Sequence, residues 1–297
     1  MSSYPFVSVI IPVRNDGDRL QMCLQALQQQ SYPKSQFEII VADNNSSEDL
    51  KAICQRFEQV RYTFEPKAGN NAARNRGIAT AKGEIIALTD ADCIPHPGWL
   101  SAGVQALQMH PLVGIMGGRI KFFFEGDRPT TVEYADSICY LQQPVYVSRD
   151  HYAAGANLFT LRGVIETVGG FEERLLNLGD KEFGQRVYEA GWEVMYSPEA
   201  IVLHPARTTL QQLLEKTRRQ TRANRVLCQL TGQPMPRCNF LPMGWQFFRT
   251  VWKDEKLPGW SKKLMLIWVM HRLKWVVTWE SNTQHNLQLN HFSESRL

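Results

Sequence analysis

Over the first two-thirds of the chain, short Val- and Ile-rich runs alternate with segments whose apolar residues recur at helical spacing. This pattern predicts strands at Val7 to Ile11, Phe37 to Ala42, Tyr62 to Glu65 and Glu84 to Leu88. Between them the spacing predicts helices over Leu20 to Gln30, Glu48 to Phe57 and Ala72 to Ala81; in the first of these Leu20, Cys23, Leu24 and Leu27 share a face. Four β-α steps thus occupy residues 7 to 90, the signature of a mostly parallel sheet covered by helices on both faces.

Beyond Asp92 the pattern loosens. A helix is expected over Pro97 to Met109, and a long strand or hairpin over Val113 to Phe124. A strand (Gly155 to Leu161), a helix (Asp180 to Ala190) and a strand (Glu193 to Tyr196) follow, with Gly191 where a helix C-terminus favours glycine. A basic helix is expected from Thr208 to Leu230, ended by Gly232, Pro234 and Pro236. The composition changes near Pro205, dividing the chain into residues 1–205 and a helical extension, 206–297, whose tail after Ser281 is expected to be disordered.

Composition sharpens that division. With 43% hydrophobic and 21% charged residues in 297, the chain is globular in type, which excludes collagenous and mainly disordered classes. The six cysteines are scattered, without Cys-x-x-Cys, which excludes a disulfide framework or structural zinc site and suits a reducing cytosol. Residues 1–204 carry 18 Lys/Arg against 24 Asp/Glu, whereas residues 205–297 carry 15 against 5, together with six of the eight tryptophans. Such asymmetry points to a membrane or nucleic-acid surface. The run Phe6 to Val13 is too short for a secretory signal, lacks a basic flank and is interrupted by Pro12. Leu264 to Trp279 is rich in apolar residues but interrupted by His271, Arg272 and Lys274, and as a helix it reaches ~24 Å against a ~30 Å hydrocarbon core. The Trp-, Leu- and Met-rich segment 245–279, with its interspersed lysines and arginines, matches helices that lie in an anionic membrane interface, and equally one packed on protein. The localisation expected is therefore cytoplasmic, with possible peripheral contact on the membrane face through residues 245–279.

Candidate chemistry gathers at strand ends. Asp90-Ala91-Asp92 follows the strand ending at Leu88, at the edge where α/β sheets bind ligands, and suits a hard cation shared with substrate phosphate; alternatively it is a solvated turn. Asp43-Asn44-Asn45-Ser46-Ser47 follows the second strand, where Asp43 can accept from a base or ribose, or the cluster can cap the next helix. Gly69 to Gly77 sets amides and arginines at a helix start, suited to phosphate or base. Neither Gly-x-Gly-x-x-Gly nor a P-loop is present, which argues against dinucleotide oxidoreductases and P-loop nucleoside triphosphatases. Asp180, in the first turn of its helix, fits either a helix-dipole partner or a general base. His204 is a possible metal ligand or phosphate donor.

In this order, residues 5–205 resemble the family 2 glycosyltransferases of the type-A nucleotide-sugar fold: Val7 to Asn15, Asp43 to Ser47, Ala73 to Gly77, Gly83 to Asp92, and Gly169-Gly170-Phe171 followed by Asp180 to Phe183. The resemblance implies a Rossmann-like α/β fold with a helical C-terminal extension, and an inverting, metal-assisted transfer from a nucleotide-diphosphate sugar, expected to be a UDP-sugar, to a hydroxyl acceptor in polysaccharide or glycolipid synthesis. By the resemblance Asp180 is the base, Asp92 and His204 hold Mn2+ or Mg2+, and Asp90 meets ribose or sugar. Asp43 meets uracil or ribose, Arg74 the nucleotide, and Pro12, Arg14 and Asn15 line the base pocket. Where the family commonly has Glu-Asp, this chain has Gly179-Asp180. Residues 122–150 are expected to shape the sugar pocket. The contrasting reading is a non-catalytic nucleotide-binding membrane scaffold that retains the fold. A sugar nucleotidyltransferase would need a Gly-rich loop where Pro12-Val13-Arg14-Asn15 stands. The basic residues Arg218, Arg219, Arg222 and Arg225 read as a solvated face, and no nucleic acid is expected.

Overall fold

The computed structural model describes residues 4–235, 252, 257 and 259–282. Their centre is an eight-stranded sheet in the order β3-β2-β1-β4-β7-β6-β8-β5. The first half matches the periodicity: β1 (Val7–Val13), β2 (Phe37–Asp43), β3 (Val60–Phe64) and β4 (Ile85–Leu88) pair in parallel, with α1 (Gly17–Leu27), α2 (Leu50–Cys54) and α3 (Asn70–Thr80) between them. β1 and β2 are buried along their whole length, as expected of central parallel strands covered on both faces. Successive residues feed opposite layers: Val7, Val9 and Ile11 enter the core with α1 and α4 (Trp99–Met109), and Ile10 enters the core with Phe171 and Phe183.

The second half corrects the expectation of a mostly parallel sheet. β7 (Leu158–Leu161) runs antiparallel to β4 and β6 (Val113–Phe123), and the two-residue β5 (Ile94–Pro95) runs antiparallel to β8. Hydrophobic alternation is the same in either strand direction, so only the connections decide it. The segment Val113–Phe123 is one strand rather than a hairpin, and Gly155–Asn157 is a 3-10 turn ahead of β7. β8 (Glu193–Pro205) extends nine residues beyond the expected Tyr196, because Arg119 to Phe123 of β6 pair with Ile201 to Pro205 after a register shift. Three helices lie in the loosely patterned stretch: α5 (Thr131–Cys139), α6 (Gln143–Asp150) and α7 (Arg162–Val168). α5 opens with a capping box in which Thr130 and Glu133 each satisfy the other's backbone N–H.

α8 (Gly179–Glu189) returns toward the sheet, and α9 (Leu210–Thr231) ends at Gly232 in the left-handed conformation. α10 (Trp260–Asn282) packs on α5 and α9 through Leu266, Val269, Leu273 and Val276, joined by Tyr134, Ala135, Leu213 and Leu214. This third core is therefore built from both sides of residue 205. Arg222 reinforces it with a bidentate pair to buried Glu280 at 2.9 and 3.0 Å. Pro236, most of 245–259 and the tail from 283 lie outside the described residues.

Candidate active site

The carboxyl ends of β1 and β4, the start of α3, the turn before α8 and the end of β8 converge on one cleft of about 280 Å³. Pro12, Arg14, Arg74, Asp90, Asp92, Asp180 and His204 all line it. Asp90 and Asp92 arrive there because Thr89, just past β4, anchors its hydroxyl on the Ala156 carbonyl at 3.1 Å and turns the chain out of the sheet.

Arg74 is almost wholly buried and reaches Asp90 Oδ1 at 3.1 Å, with Phe171 stacked 5.7 Å from its guanidinium. Its Nε is buried and has no partner among the described residues. Burial pushes the Asp90 carboxyl above its ordinary range; Arg74 opposes that shift and Asp92 adds to it. Gly155 is required beside this pair, since a Cβ there would lie 2.5 Å from Arg74 Nη2.

Asp180 is held by two backbone donors: Gly155 N–H reaches its Oδ2 at 3.0 Å and Lys181 N–H its Oδ1 at 2.9 Å. The missing acid before it has a packing reason. A Cβ at Gly179 would lie 2.0 Å from the Asn71 amide nitrogen, which donates to the Glu172 and Leu175 carbonyls at 3.0 and 2.6 Å. Asn71 fills the space that a side chain at 179 would need.

His204 lies near the end of β8 with its ring edge against Phe122 at 5.5 Å. Its Nδ1 donates to the Pro205 carbonyl at 2.8 Å, which turns Nε2 toward Asp92 Oδ1 at 3.7 Å. An imidazole lone pair and a carboxylate facing each other across that gap fit a hard divalent cation, and the carbonyl beyond Nδ1 fixes the ring in the ligating tautomer. Cys93 Sγ belongs to the same cluster, its ligand atoms all within 4.8 Å of one another. Burial pushes that thiol well above its ordinary value, with Asp92 and Asp90 adding to the shift, so it stays neutral and is a poor partner for such an ion.

Two predicted site residues are not brought into the cleft. Asn15, with φ of 52°, accepts Ser47 N–H and hydroxyl at 2.8 and 3.1 Å. Asp43 is buried, accepting the Tyr62 hydroxyl at 2.7 Å and Ser46 N–H at 2.9 Å. Both brace the turn beside the cleft, while Asp49 caps α2. Of residues 122–150 only Leu141 reaches the cleft wall. Conversely, Arg207, Lys216, Arg219 and Gln220 form a wall that the sequence reading assigned to the extension. Arg207 Nη2 stands 3.8 Å from Asp92, and Lys216 is buried against Asp136 at 2.7 Å and over the Tyr140 ring. Their signal was present as a charge excess after residue 205, but charge alone does not say which way a helix faces.

Residues 8–169, more than half of the chain, match the sequence profile of glycosyl transferase family 2. The chain belongs to that family. It is a glycosyltransferase, similar to glycosyltransferase AglE of Haloferax volcanii at 37% identity over 220 residues, covering 72% of this chain and 71% of that protein. It is also 30% identical over 227 residues to a pre-mycofactocin glycosyltransferase of Mycobacterium tuberculosis, covering 72% of this chain but 46% of the longer relative. Among solved structures, the mannosyltransferase PcManGT of Pyrobaculum calidifontis, in complex with GDP-Man and Mn2+, superimposes with a TM-score of 0.61 at 18% identity, over 94% of this chain and 74% of that one. That likeness establishes the type-A glycosyltransferase fold.

Proposed function

We propose that this transferase moves a sugar from a nucleoside-diphosphate sugar, with UDP-sugars the first to test, to a hydroxyl of a saccharide or lipid-linked acceptor, with inversion at the anomeric carbon. The observation that carries the reading is the cleft itself, where Asp180 faces the Asp92–His204 pair and a cationic wall of Arg207, Lys216 and Arg219. Asp180 takes the proton of the acceptor hydroxyl as its oxygen attacks the anomeric carbon. The bond from that carbon to the diphosphate oxygen breaks with its electron pair, and one displacement inverts the configuration. The two N–H groups on Asp180 hold its carboxylate in one orientation for that transfer. Arg74 braces Asp90 toward the donor, and Arg207 and Arg219 lie where negative diphosphate can be met. Asp92 and His204 would hold Mn2+ or Mg2+, which when bound offsets charge on the departing diphosphate. The complex of PcManGT with GDP-Man and Mn2+ supports this donor class and ion.

The test is release of nucleoside diphosphate from UDP-, GDP- and dTDP-sugars, with Mn2+ or EDTA, with and without acceptors. Release that requires the cation and disappears in Asp180→Asn is the expected result. Undiminished turnover in Asp180→Asn removes Asp180 as the base. Tight donor binding without release under every acceptor would instead favour a nucleotide-binding scaffold.

A further inference from the structure

α10 is apolar on two opposite sides. One side is the third core; the other is exposed and runs as a stripe with steps of three or four residues through Trp260, Leu264, Trp268, Arg272 and Trp275. Trp260 is 69% exposed, Trp268 47% and Trp275 40%, and Met265 flanks them. A packed helix normally turns such residues inward, so an exposed row of them marks a surface that meets something apolar. From Trp260 to Trp275 the row spans about 22 Å at 1.5 Å per residue.

The polar groups along this row select the partner. The Arg272 guanidinium lies 5.9 Å from the Trp268 ring and 5.8 Å from the Trp275 ring, and Trp275 stacks on Trp279 at 5.6 Å. Lys263 lies over the ring of exposed Trp252, 5.9 Å from its centroid, and donates to that residue's carbonyl. Between Lys256 and Trp279 the sequence has no Asp or Glu, while Lys262, Lys263, Arg272 and Lys274 are basic. Tryptophan rings with cations over their faces suit the boundary between headgroups and acyl chains, and the unbalanced positive charge suits anionic lipid. Among the described residues no helix is long and apolar enough to cross a membrane. A helix fixed to the protein by one face and offering the other is therefore set to lie along a bilayer.

We propose that the Trp260–Trp275 face of α10 is a docking surface for an anionic membrane interface. α9, which packs on α10, also supplies Lys216, Arg219 and Gln220 to the cleft, so a docked bilayer lies one helix away from the site. The surface is read without turnover, so its fate is separable from that of the donor assignment.

The experiment is flotation of the full chain with vesicles of phosphatidylcholine alone, or containing roughly one-third phosphatidylglycerol. The expected result is capture by the anionic vesicles that weakens as salt rises. Trp268→Gln/Trp275→Gln leaves Leu266, Val269, Leu273 and Val276 in place and is expected to lower the partition coefficient about tenfold or more. A second variant, Lys262→Gln/Lys263→Gln/Arg272→Gln, is expected to lose roughly fivefold for each charge removed, on anionic vesicles only. Circular dichroism and retained nucleotide binding check that both variants fold. Equal flotation of the wild type and the tryptophan variant overturns the proposal. Absence of flotation also overturns it, and a dimer that the tryptophan variant dissolves in sedimentation velocity would then assign the face to a second copy.

Discussion

Gly155→Ala adds one methyl group where three parts of the site meet. The new Cβ would stand 2.5, 2.7 and 3.1 Å from Nη2, Cζ and Nη1 of Arg74, against ordinary contacts of 3.4 Å or more. The guanidinium must retreat by about 0.9 Å, yet it is buried between Phe171 and Asn71 and cannot swing into solvent. Its 3.1 Å contact with Asp90 is then stretched or misaligned. A hydrogen bond to a charged group contributes about 1.5–3 kcal/mol, so kcat/KM for transfer from the donor found in the screen should fall about 10- to 150-fold. Overpacking should cost about 1–3 kcal/mol of folding stability in urea, which must be measured beside the kinetics. The discriminating assay repeats the change in an Arg74→Lys background, where the slimmer head leaves room for the methyl. There the further loss from Gly155→Ala should shrink to a few-fold. Wild-type kinetics in Gly155→Ala, or an equal loss in both backgrounds, would refute the steric account.

Two further predictions concern stability. Lys216→Met leaves the fully buried Asp136 carboxylate without its 2.7 Å partner, and should cost about 3 kcal/mol or more in urea unfolding. Adding Asp136→Asn, which keeps an acceptor for the Arg207 N–H, should recover much of that, and a single-variant cost below about 1 kcal/mol would mean the pair is not a structural tie. Burial alone would raise the Glu38 carboxyl, but bonds from Arg61, Ser8 and Lys82 N–H outweigh it and hold it below the ordinary 4.5. A lowered folded value means stabilisation that is present above pH 4.5 and disappears as pH falls through the folded value. The stability gap between wild type and Glu38→Gln should therefore close on acidification, and a gap that stays constant from pH 6 to pH 3 would contradict the assignment.

Periodicity and the resemblance determined much of this protein from its sequence. Runs such as Val7 to Val13 can be satisfied only by burial on both faces, so β1 to β4 and the parallel order of the first half were legible. A carboxylate pair directly after a buried strand has few places to go, so the placement of Asp90 and Asp92 at the sheet edge, on the cleft wall, was legible as well. α5 was legible in principle, since the capping box from Thr130 to Glu133 is a local signal, but the surrounding pattern hid it.

What local pattern does not encode is direction and neighbourhood. The reversal of β7 leaves no trace in hydrophobic alternation. β8 continues to His204 only because β6 supplies backbone partners that far, which brings the imidazole to Asp92. Asn15 and Asp43 read from sequence as nucleotide contacts, and only the fold shows that they also accept from Ser46, Ser47 and Tyr62 in the turn beside the cleft. Lys216 and Arg219 read as part of a basic helix, and become a wall of the cleft because α5 and α10 hold α9 in place. Secondary structure answers to forces within a few residues of chain, which a sequence displays. The site is assembled from contacts as distant as Asp92 to His204 and Asp136 to Lys216, whose energies exist only once the chain has folded.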